Sequence, residues 1–159
     1  MQKEPKFLVD FMLGRLAKWL RVFGYDTVYL KNESGKNPVL ESLKEDRILV
    51  TRNMRLSGKP AWKLALIKSD DVSEQLKQLV TELKLDISKK RLFTICSVCN
   101  SPIEPVKDKN EIKALVPEYV FNTQNDFSKC SKCNKLYWHG THMDLLLKDI
   151  KKAGITLKD

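Results

Sequence analysis

The chain has 159 residues and a formal net charge of +9 at pH 7, with a sequence pI near 9.4. This length suits one sizeable core, or one core with a small appended module. No run of about 18 apolar residues occurs, which argues against a membrane span. The amino terminus, MQKEPK, is not followed by the apolar region of a signal peptide. We therefore expect a cytoplasmic protein without a membrane partner.

The excess of basic over acidic residues suggests a polyanionic partner. Lysine and arginine together number 29, against 20 for aspartate and glutamate. A nucleic acid would be attracted by such a charge. A lysine-rich solvated surface has the same composition, so the positions of the charges must decide between the two.

The first pattern along the chain predicts the start of a parallel sheet. Phe7 to Val9 form a short apolar run that ends at a carboxylate, Asp10. Apolar residues at helical spacing follow from Leu13 to Phe23, and Gly24 is suited to end this helix because glycine reaches the left-handed conformation at low cost. The chain then extends again over residues 28–29. In such a βαβ unit ligands bind beyond the carboxyl ends of the strands, where Asp10 is predicted to lie.

The next segments continue to alternate between strands and helices. They are a polar loop over 31–37, a short helix over 38–45, a buried strand over 48–50, a weaker strand over 62–67 and an amphipathic helix over 72–83. Thr51, Arg52 and Asn53 follow the buried strand. Asp70 and Asp71 follow the weaker one, and Asp71 or Ser73 is suited to cap the last of these helices. This alternation predicts a parallel α/β sheet.

A polar stretch from Asp86 to Lys90 marks a predicted domain boundary. We expect an α/β domain over residues 1–88 and a smaller module over 89–159. The smaller module contains both cysteine pairs and an apolar segment over 114–121. Its last helix has apolar residues on one face, stops at Gly154 and could pack on either domain.

The cysteines form two CxxC pairs, which is a strong pattern for a zinc site. The pairs are Cys96 with Cys99 and Cys130 with Cys133. Two such turns supply four tetrahedral thiolate ligands and leave no open position, so the metal would be structural. An asparagine after each second cysteine fits the left-handed conformation that these turns use.

Other interpretations of the cysteines are disulfides, a redox pair or an iron site. A cytoplasmic location argues against disulfides, and a redox site needs one CxxC rather than two matched ones. His139 and His142 are further candidate ligands, but four thiolates make them unnecessary.

Acidic and amide side chains at the predicted strand ends suggest a second metal site. The candidates are Asp10, Glu41, Asn53, Asp70 and Asp71. Oxygen ligands gathered at one sheet edge would bind Mg²⁺ or Mn²⁺, which can activate water for attack on a phosphodiester. The alternative is that each acid other than Asp10 caps a helix or pairs with a lysine.

Basic and aromatic residues provide candidate contacts for a nucleic acid. Arg15, Lys18 and Arg21 share one side of the first helix, and Arg52 adds to them; the alternative is a solvated helix face. Tyr137 or Trp138 could stack on a base or pack over the metal site. His142 could contact a phosphate or cap the last helix.

Taken together, these residues resemble a known family. The motifs VDFMLGRLAKWLRVFGYD, RILVTRN, the two CxxC pairs and YWHGTH are similar to those of the PIN-like ribonuclease domain with a C-terminal zinc ribbon, named for the C-terminal part of animal mutator-seven exonucleases. The resemblance implies a PIN-like α/β/α fold, a metal-dependent nuclease site of acidic residues, and RNA as the substrate.

The resemblance also assigns individual residues and shows two departures from the family pattern. Asp10 matches the first-strand acid, and the other matched positions are Arg15, Arg21, Asp26, Thr51 and Arg52. Asn53 stands where the family usually has aspartate. The family's middle acid would fall near Gly35 to Asn37, where this chain has none, and Glu33 and Glu41 are its substitutes.

Three functional hypotheses follow. The first is an Mg- or Mn-dependent ribonuclease with a structural zinc ribbon. The second, which the two departures favour, is an RNA-binding module whose catalysis is weakened or lost. The third gives the zinc ribbon a role in docking another protein.

Overall fold

The computed structural model describes residues 3–159 and has a four-stranded parallel sheet at its centre. Its strands are β1 (Phe7–Val9), β2 (Thr27–Tyr29), β3 (Ile48–Thr51) and β4 (Lys63–Leu66). They lie in the order β2-β1-β3-β4, and each neighbouring pair is parallel. The α/β class and the parallel sheet predicted from the sequence are therefore confirmed.

Helices cover both faces of this sheet. They are α1 (Gly14–Val22), α2 (Pro38–Lys44) and α3 (Val72–Leu83). Successive residues of a strand point to opposite faces. Accordingly, Phe7 and Val9 belong to the core formed with α1 and α3, whereas Leu8 packs in a separate cluster with Val39 of α2. Between residues 3 and 159, no helix has both the length and the apolar character needed to cross a membrane.

Gly24 ends α1 as predicted and also permits a close contact with the second half of the chain. Its φ is +81°, in the left-handed region that favours glycine. A Cβ atom at this position would lie 2.4 Å from the carbonyl oxygen of Arg91 and 2.8 Å from Oγ1 of Thr94. Both the turn and the approach of this segment therefore require glycine.

A second sheet carries the second cysteine pair and is antiparallel. It consists of β5 (Ile103–Pro105), β6 (Phe127–Cys130) and β7 (Leu136–Trp138), in that order. A short helix, α4 (Glu118–Thr123), lies between β5 and β6. Ile112, Val116, Val120 and Phe127 form a small core of their own. The predicted apolar segment over 114–121 contributes to this core.

The last helix, α5 (Thr141–Lys152), packs on the first core rather than on the second. Ile150 and Ile155 are buried there. Beyond the helix, the Lys158 N–H donates to the carbonyl of Ile87 at 2.8 Å, and Ile87 itself is only 1% exposed. The predicted boundary at residues 88 and 89 thus falls beside a core residue, and the division into two domains stays a prediction.

Candidate functional site

The carboxyl ends of β1 and β3 form the crevice in which an α/β sheet is expected to bind ligands. Both strands lie in the middle of the sheet, and the chain proceeds from them toward opposite edges. α1 and α2 lie on opposite faces. This is a topological switch point, where the loops that follow the two strands diverge and leave room for a ligand. Asp10 directly follows β1, and Thr51 is the last residue of β3.

Asp10 is a buried carboxylate whose described partners are uncharged. The residue is only 4% exposed. Oδ1 accepts a hydrogen bond from the N–H of Phe11 at 2.7 Å, and Oδ2 accepts one from Oγ1 of Thr51 at 2.7 Å. A buried carboxylate is costly without a balancing charge. Because each oxygen can accept more than one hydrogen bond or metal ion, Asp10 still has the capacity to bind a cation.

Asn53 is connected to Asp10 through Thr51. The N–H of Asn53 donates to Oγ1 of Thr51 at 3.0 Å, and that hydroxyl in turn donates to Asp10. The side-chain oxygen of Asn53 accepts from the N–H of Arg55 at 3.1 Å and caps a short 3₁₀ helix, Met54–Leu56. The structure therefore brings the main chain of Asn53 next to the hydrogen bond between Asp10 and Thr51. The side-chain oxygen of Asn53 holds the turn that follows.

The other predicted acids have local partners. Glu41 pairs with Lys44 at 2.5 Å and with Lys36 at 3.9 Å, and the hydrogen bond from Lys44 lowers the pKa of its carboxyl. Asp71 caps α3 by accepting from the N–H groups of Ser73 and Glu74. These are the lysine pair and the helix cap that the alternative interpretation predicted.

No cluster of acids accompanies Asp10 in the part of the chain that the structure describes. Asp70 is exposed beyond β4. Among residues 3–159, the one group of three or more histidine, cysteine or acidic side chains arranged to hold a metal ion is the set of four cysteines. The catalytic roles of Glu41, Asn53, Asp70 and Asp71 therefore stay predictions.

The predicted basic stripe divides into exposed and buried residues. Arg15, Lys18 and Arg52 are exposed, and the ion pairs found within residues 3–159 involve none of them. Their side chains are therefore available to a polyanion.

Arg21 has a different environment from the one expected. It is only 8% exposed, and burial lowers the pKa of its guanidinium. Nε donates to the carbonyl of Thr27 at 2.9 Å, and a terminal nitrogen donates to the carbonyls of Ser97 and Val98 at 3.1 and 2.9 Å. The guanidinium of Arg21 thus joins α1 to β2 and to the first cysteine turn, which covers this part of the helix, and RNA binding by Arg21 stays a prediction.

The four cysteines form one compact group. Their sulfur atoms all lie within 4.8 Å of one another, with 3.6 Å between Cys96 and Cys133 and 3.4 Å between Cys99 and Cys130. Tetrahedral zinc with Zn–S bonds of about 2.3 Å requires sulfurs about 3.8 Å apart. The donor set and its spacing therefore fit a closed zinc site.

The turns around the cysteines have the conformation predicted for metal-binding knuckles. Asn100 and Asn134 have φ values of +63° and +61°, as expected for the asparagine after each second cysteine. The N–H of Asn100 donates to the carbonyl of Cys96 at 3.0 Å, and that of Asn134 donates to Cys130 at 3.2 Å. The two turns thus have matching hydrogen bonds.

The thiols also have unequal acidities. Burial opposes ionisation of Cys99, but hydrogen bonds from Ser101 and neighbouring thiols outweigh it and lower its pKa to about 6. For Cys133, the N–H of Lys135 favours the thiolate, but partial desolvation of the sulfur and the three other thiols raise its pKa to about 11. Four thiolates this close repel one another, and a bound cation removes that repulsion.

The first cysteine turn is also hydrogen-bonded to the parallel sheet, a connection that the sequence analysis did not predict. Oδ1 of Asn100 accepts from the N–H of Thr27 at 2.8 Å, and Nδ2 donates to Asp26 at 2.7 Å. Asp26 also binds Arg47 through both carboxylate oxygens. Asp26 belongs to the GYD turn of the opening motif, which is the one signal in the sequence for this connection.

The aromatic residues after the second cysteine pair serve the cysteine group and the second core. The hydroxyl of Tyr137 donates to Sγ of Cys96 at 3.1 Å, and Trp138 packs against Phe127 with ring centroids 6.2 Å apart. Packing near the metal site, the alternative to base stacking, therefore describes Tyr137 in this structure. His142 is exposed in the first turn of α5.

Comparison with known proteins identifies one family. The family model described as the Mut7-C RNAse domain matches residues 5–150, which include both sheets and almost all of α5. No curated protein matches the chain, and no solved structure does. The match covers most of the chain and includes Asp10 and all four cysteines, so the protein belongs to the Mut7-C RNAse domain family.

Proposed function

We propose that this protein is a metal-dependent ribonuclease with a PIN-like α/β domain and a structural zinc ribbon. The observation that carries the proposal is Asp10, a buried carboxylate with uncharged partners at the switch point of the sheet. Membership of a ribonuclease-like family supports RNA as the substrate. The cysteine group supports the zinc ribbon, because its donors and distances fit that ion.

The proposed metal site is built around Asp10 and the end of β3. Asp10 would ligate Mg²⁺ or Mn²⁺, with Asn53 offering its amide oxygen and Glu41, Asp70 or Asp71 as further ligands. Such an ion supplies an activated water and stabilises negative charge on a phosphodiester. Thr51 would keep the Asp10 carboxylate oriented through its 2.7 Å hydrogen bond.

Arg15, Lys18 and Arg52 would bind the RNA backbone. These side chains are exposed and make no ion pair with another residue between 3 and 159. Arg15 lies in the first turn of α1, close in sequence to Asp10. A phosphate next to the scissile group would therefore meet a guanidinium that can bind two of its oxygens.

The test is RNA cleavage with Mn²⁺ or Mg²⁺ by the unmodified protein and by Asp10→Asn. We expect cleavage to be lost in this variant, which removes the carboxylate charge at nearly constant size. Asp108→Asn is a matched control, since Asp108 is an exposed cap in the second half of the chain and asparagine can still cap. Equal cleavage by the unmodified protein and Asp10→Asn would refute the proposed nuclease site.

The second candidate function is RNA binding with weakened or absent catalysis. It is favoured by Asn53, whose side-chain oxygen is engaged with Arg55 and carries no charge for a metal. Asn53→Asp discriminates the two functions, because aspartate can keep the cap and adds a charged ligand. Increased cleavage would indicate a weakened active site, whereas RNA binding with no cleavage by either protein would indicate a binding module.

A further inference from the structure

A cleft of about 600 Å³ lies between the second sheet, α5 and the end of α1. It is lined by Val22 of α1, by Phe93, by Tyr137 and Trp138 of β7, and by His142 and Met143 of α5. Neither the proposed catalytic site nor the cysteine group uses this space. Its volume falls within the range of sites that hold small organic groups, about 300–1,000 Å³.

The chemistry of the lining suits a flat aromatic group that is attached to something negatively charged. Phe93, Tyr137 and Trp138 offer aromatic surfaces, on which bases of single-stranded nucleic acids stack irrespective of sequence. Lys135 and His142 add polar, basic groups to the lining, whereas Asp126 is its one acidic member. Lys135 belongs to none of the ion pairs within residues 3–159.

One side of α1, exposed at Arg15 and Lys18 and buried at Val22, runs from the edge of the sheet that holds Asp10 to this cleft. Arg15, Lys18 and Val22 are three and then four residues apart, so they lie on one side of the helix. Arg15 is in the first turn, next to the Asp10 edge, and Val22 is the last residue and lines the cleft. The two ends of this stripe are about 10 Å apart along the helix axis.

We propose that the cleft binds an unpaired base of single-stranded RNA whose backbone follows Arg15 and Lys18 toward Asp10. The inference rests on RNA being the substrate proposed above. It adds that the RNA must be single-stranded there, because a paired base cannot leave its stack to enter a cleft without an unpairing cost. The aromatic residues after the second cysteine pair would thereby serve both the zinc site and substrate selection.

The test uses photo-cross-linking of the full zinc-loaded chain. A single-stranded oligouridylate containing 4-thiouridine is irradiated with the protein without added Mg²⁺ or Mn²⁺, and the adducts are located by mass spectrometry. We expect them on the tryptic peptide 136–148, which contains Tyr137, Trp138 and His142, or on Phe93. We also expect much lower yields with the same strand in a duplex. Adducts confined to other regions, or equal yields from both RNAs, would overturn the inference.

A pair of substitutions in α5 tests the cleft by affinity. Met143 lines it, and Leu145 is 51% exposed on the same helix and does not line it. Met143→Trp should fill the cleft and weaken binding of the oligouridylate about tenfold, in the range of one lost base stack. Leu145→Trp should leave the affinity unchanged. Equal affinities in two folded variants would contradict the proposal, and the cross-linking result does not depend on either variant folding.

Cleavage of the same RNA with Mn²⁺ separates this inference from the proposed function. Cleavage that depends on Asp10, together with cross-links only outside the cleft, would retain the ribonuclease and overturn the base-binding cleft. Cross-links in the cleft without any cleavage would support the cleft and overturn the ribonuclease.

Discussion

The hydroxyl of Thr51 donates a 2.7 Å hydrogen bond to the carboxylate of Asp10, joining the ends of two adjacent parallel strands. Both residues are buried, and the same hydroxyl accepts from the N–H of Asn53. One side chain thus orients the candidate metal ligand and holds the turn that follows β3. The orientation of the Asp10 carboxylate is therefore tied to the neighbouring strand β3 as well as to the turn that follows β1.

We predict that Thr51→Val destabilises the protein and lowers any RNA cleavage. The change keeps the shape of the side chain but leaves an oxygen of Asp10 and the N–H of Asn53 without their partner, at a cost of about 1–3 kcal/mol. The free energy of unfolding is measured by urea denaturation. Thr51→Ser is the control because it retains the hydroxyl. A valine variant as stable and as active as the serine variant would show that the hydroxyl has no orienting role.

We predict that removing the proposed zinc ion loosens the parallel sheet as well as the cysteine turns. The N–H of Thr27 in β2 donates to the side chain of Asn100, which directly follows Cys99. If the turn loses its metal, this bond is lost and the Thr27 amide exchanges faster with solvent. Hydrogen exchange before and after chelation measures the effect. Unchanged protection of Thr27 after complete loss of zinc would contradict the prediction.

Replacement by methionine should lower the stability of the protein at Arg21 but change only RNA binding at Arg15. Arg21→Met keeps the apolar stem but leaves three carbonyl groups without their donor, so we expect a loss of about 2 kcal/mol of stability. Arg15→Met should leave the stability unchanged and reduce the slope of log RNA affinity against log salt by about 1. Thermal unfolding and salt-dependent binding measure the two effects. A stable Arg21→Met variant with reduced RNA affinity would restore the original expectation for that residue.

The sequence predicted the parallel sheet well because its signals are local. A strand such as β1 is a short buried run, and α3 has a regular apolar spacing and is capped by Asp71, one of the two residues predicted as its cap. The left-handed asparagines after the cysteine pairs were also predictable, because the conformational preference belongs to a single residue.

The environment of Arg21 and the second sheet were not predictable in the same way. Helical periodicity places Arg21 away from the apolar face of α1, but it does not reveal that a distant turn at Ser97 and Val98 covers that position. A strand of the first sheet such as β1 is an uninterrupted apolar run, FLV, whereas β5 is IEP and β6 is FSKC, so polar residues and a proline obscure the strand pattern of the second sheet. Their pairing depends on contacts between segments far apart in the chain, including the cysteines.

The stability of the protein should decrease as the pH is lowered, because Asp26 becomes protonated. Burial opposes ionisation of this carboxyl, but hydrogen bonds from Arg47 and Asn100 outweigh it and lower its pKa. A folded-state pKa below the unfolded value of about 3.9 means that its contribution is present above this pH and is lost as the pH falls through the folded pKa.

Asp26→Asn provides the measurement of this pH dependence. We expect the variant to be less stable than the unmodified protein at pH 7, because Arg47 loses a charged partner that it binds through two nitrogens. The difference should narrow as the pH is lowered below about 4, because the unfolded chain of the unmodified protein then binds a proton at Asp26 that the folded chain binds only at its lower pKa. Zinc content is measured at each pH, because loss of the metal would also release Asn100, which donates a hydrogen bond to Asp26. Urea denaturation from pH 7 to pH 3 measures the difference in unfolding free energy between the two proteins. A difference that stays constant over this range would show that Asp26 does not couple folding to pH.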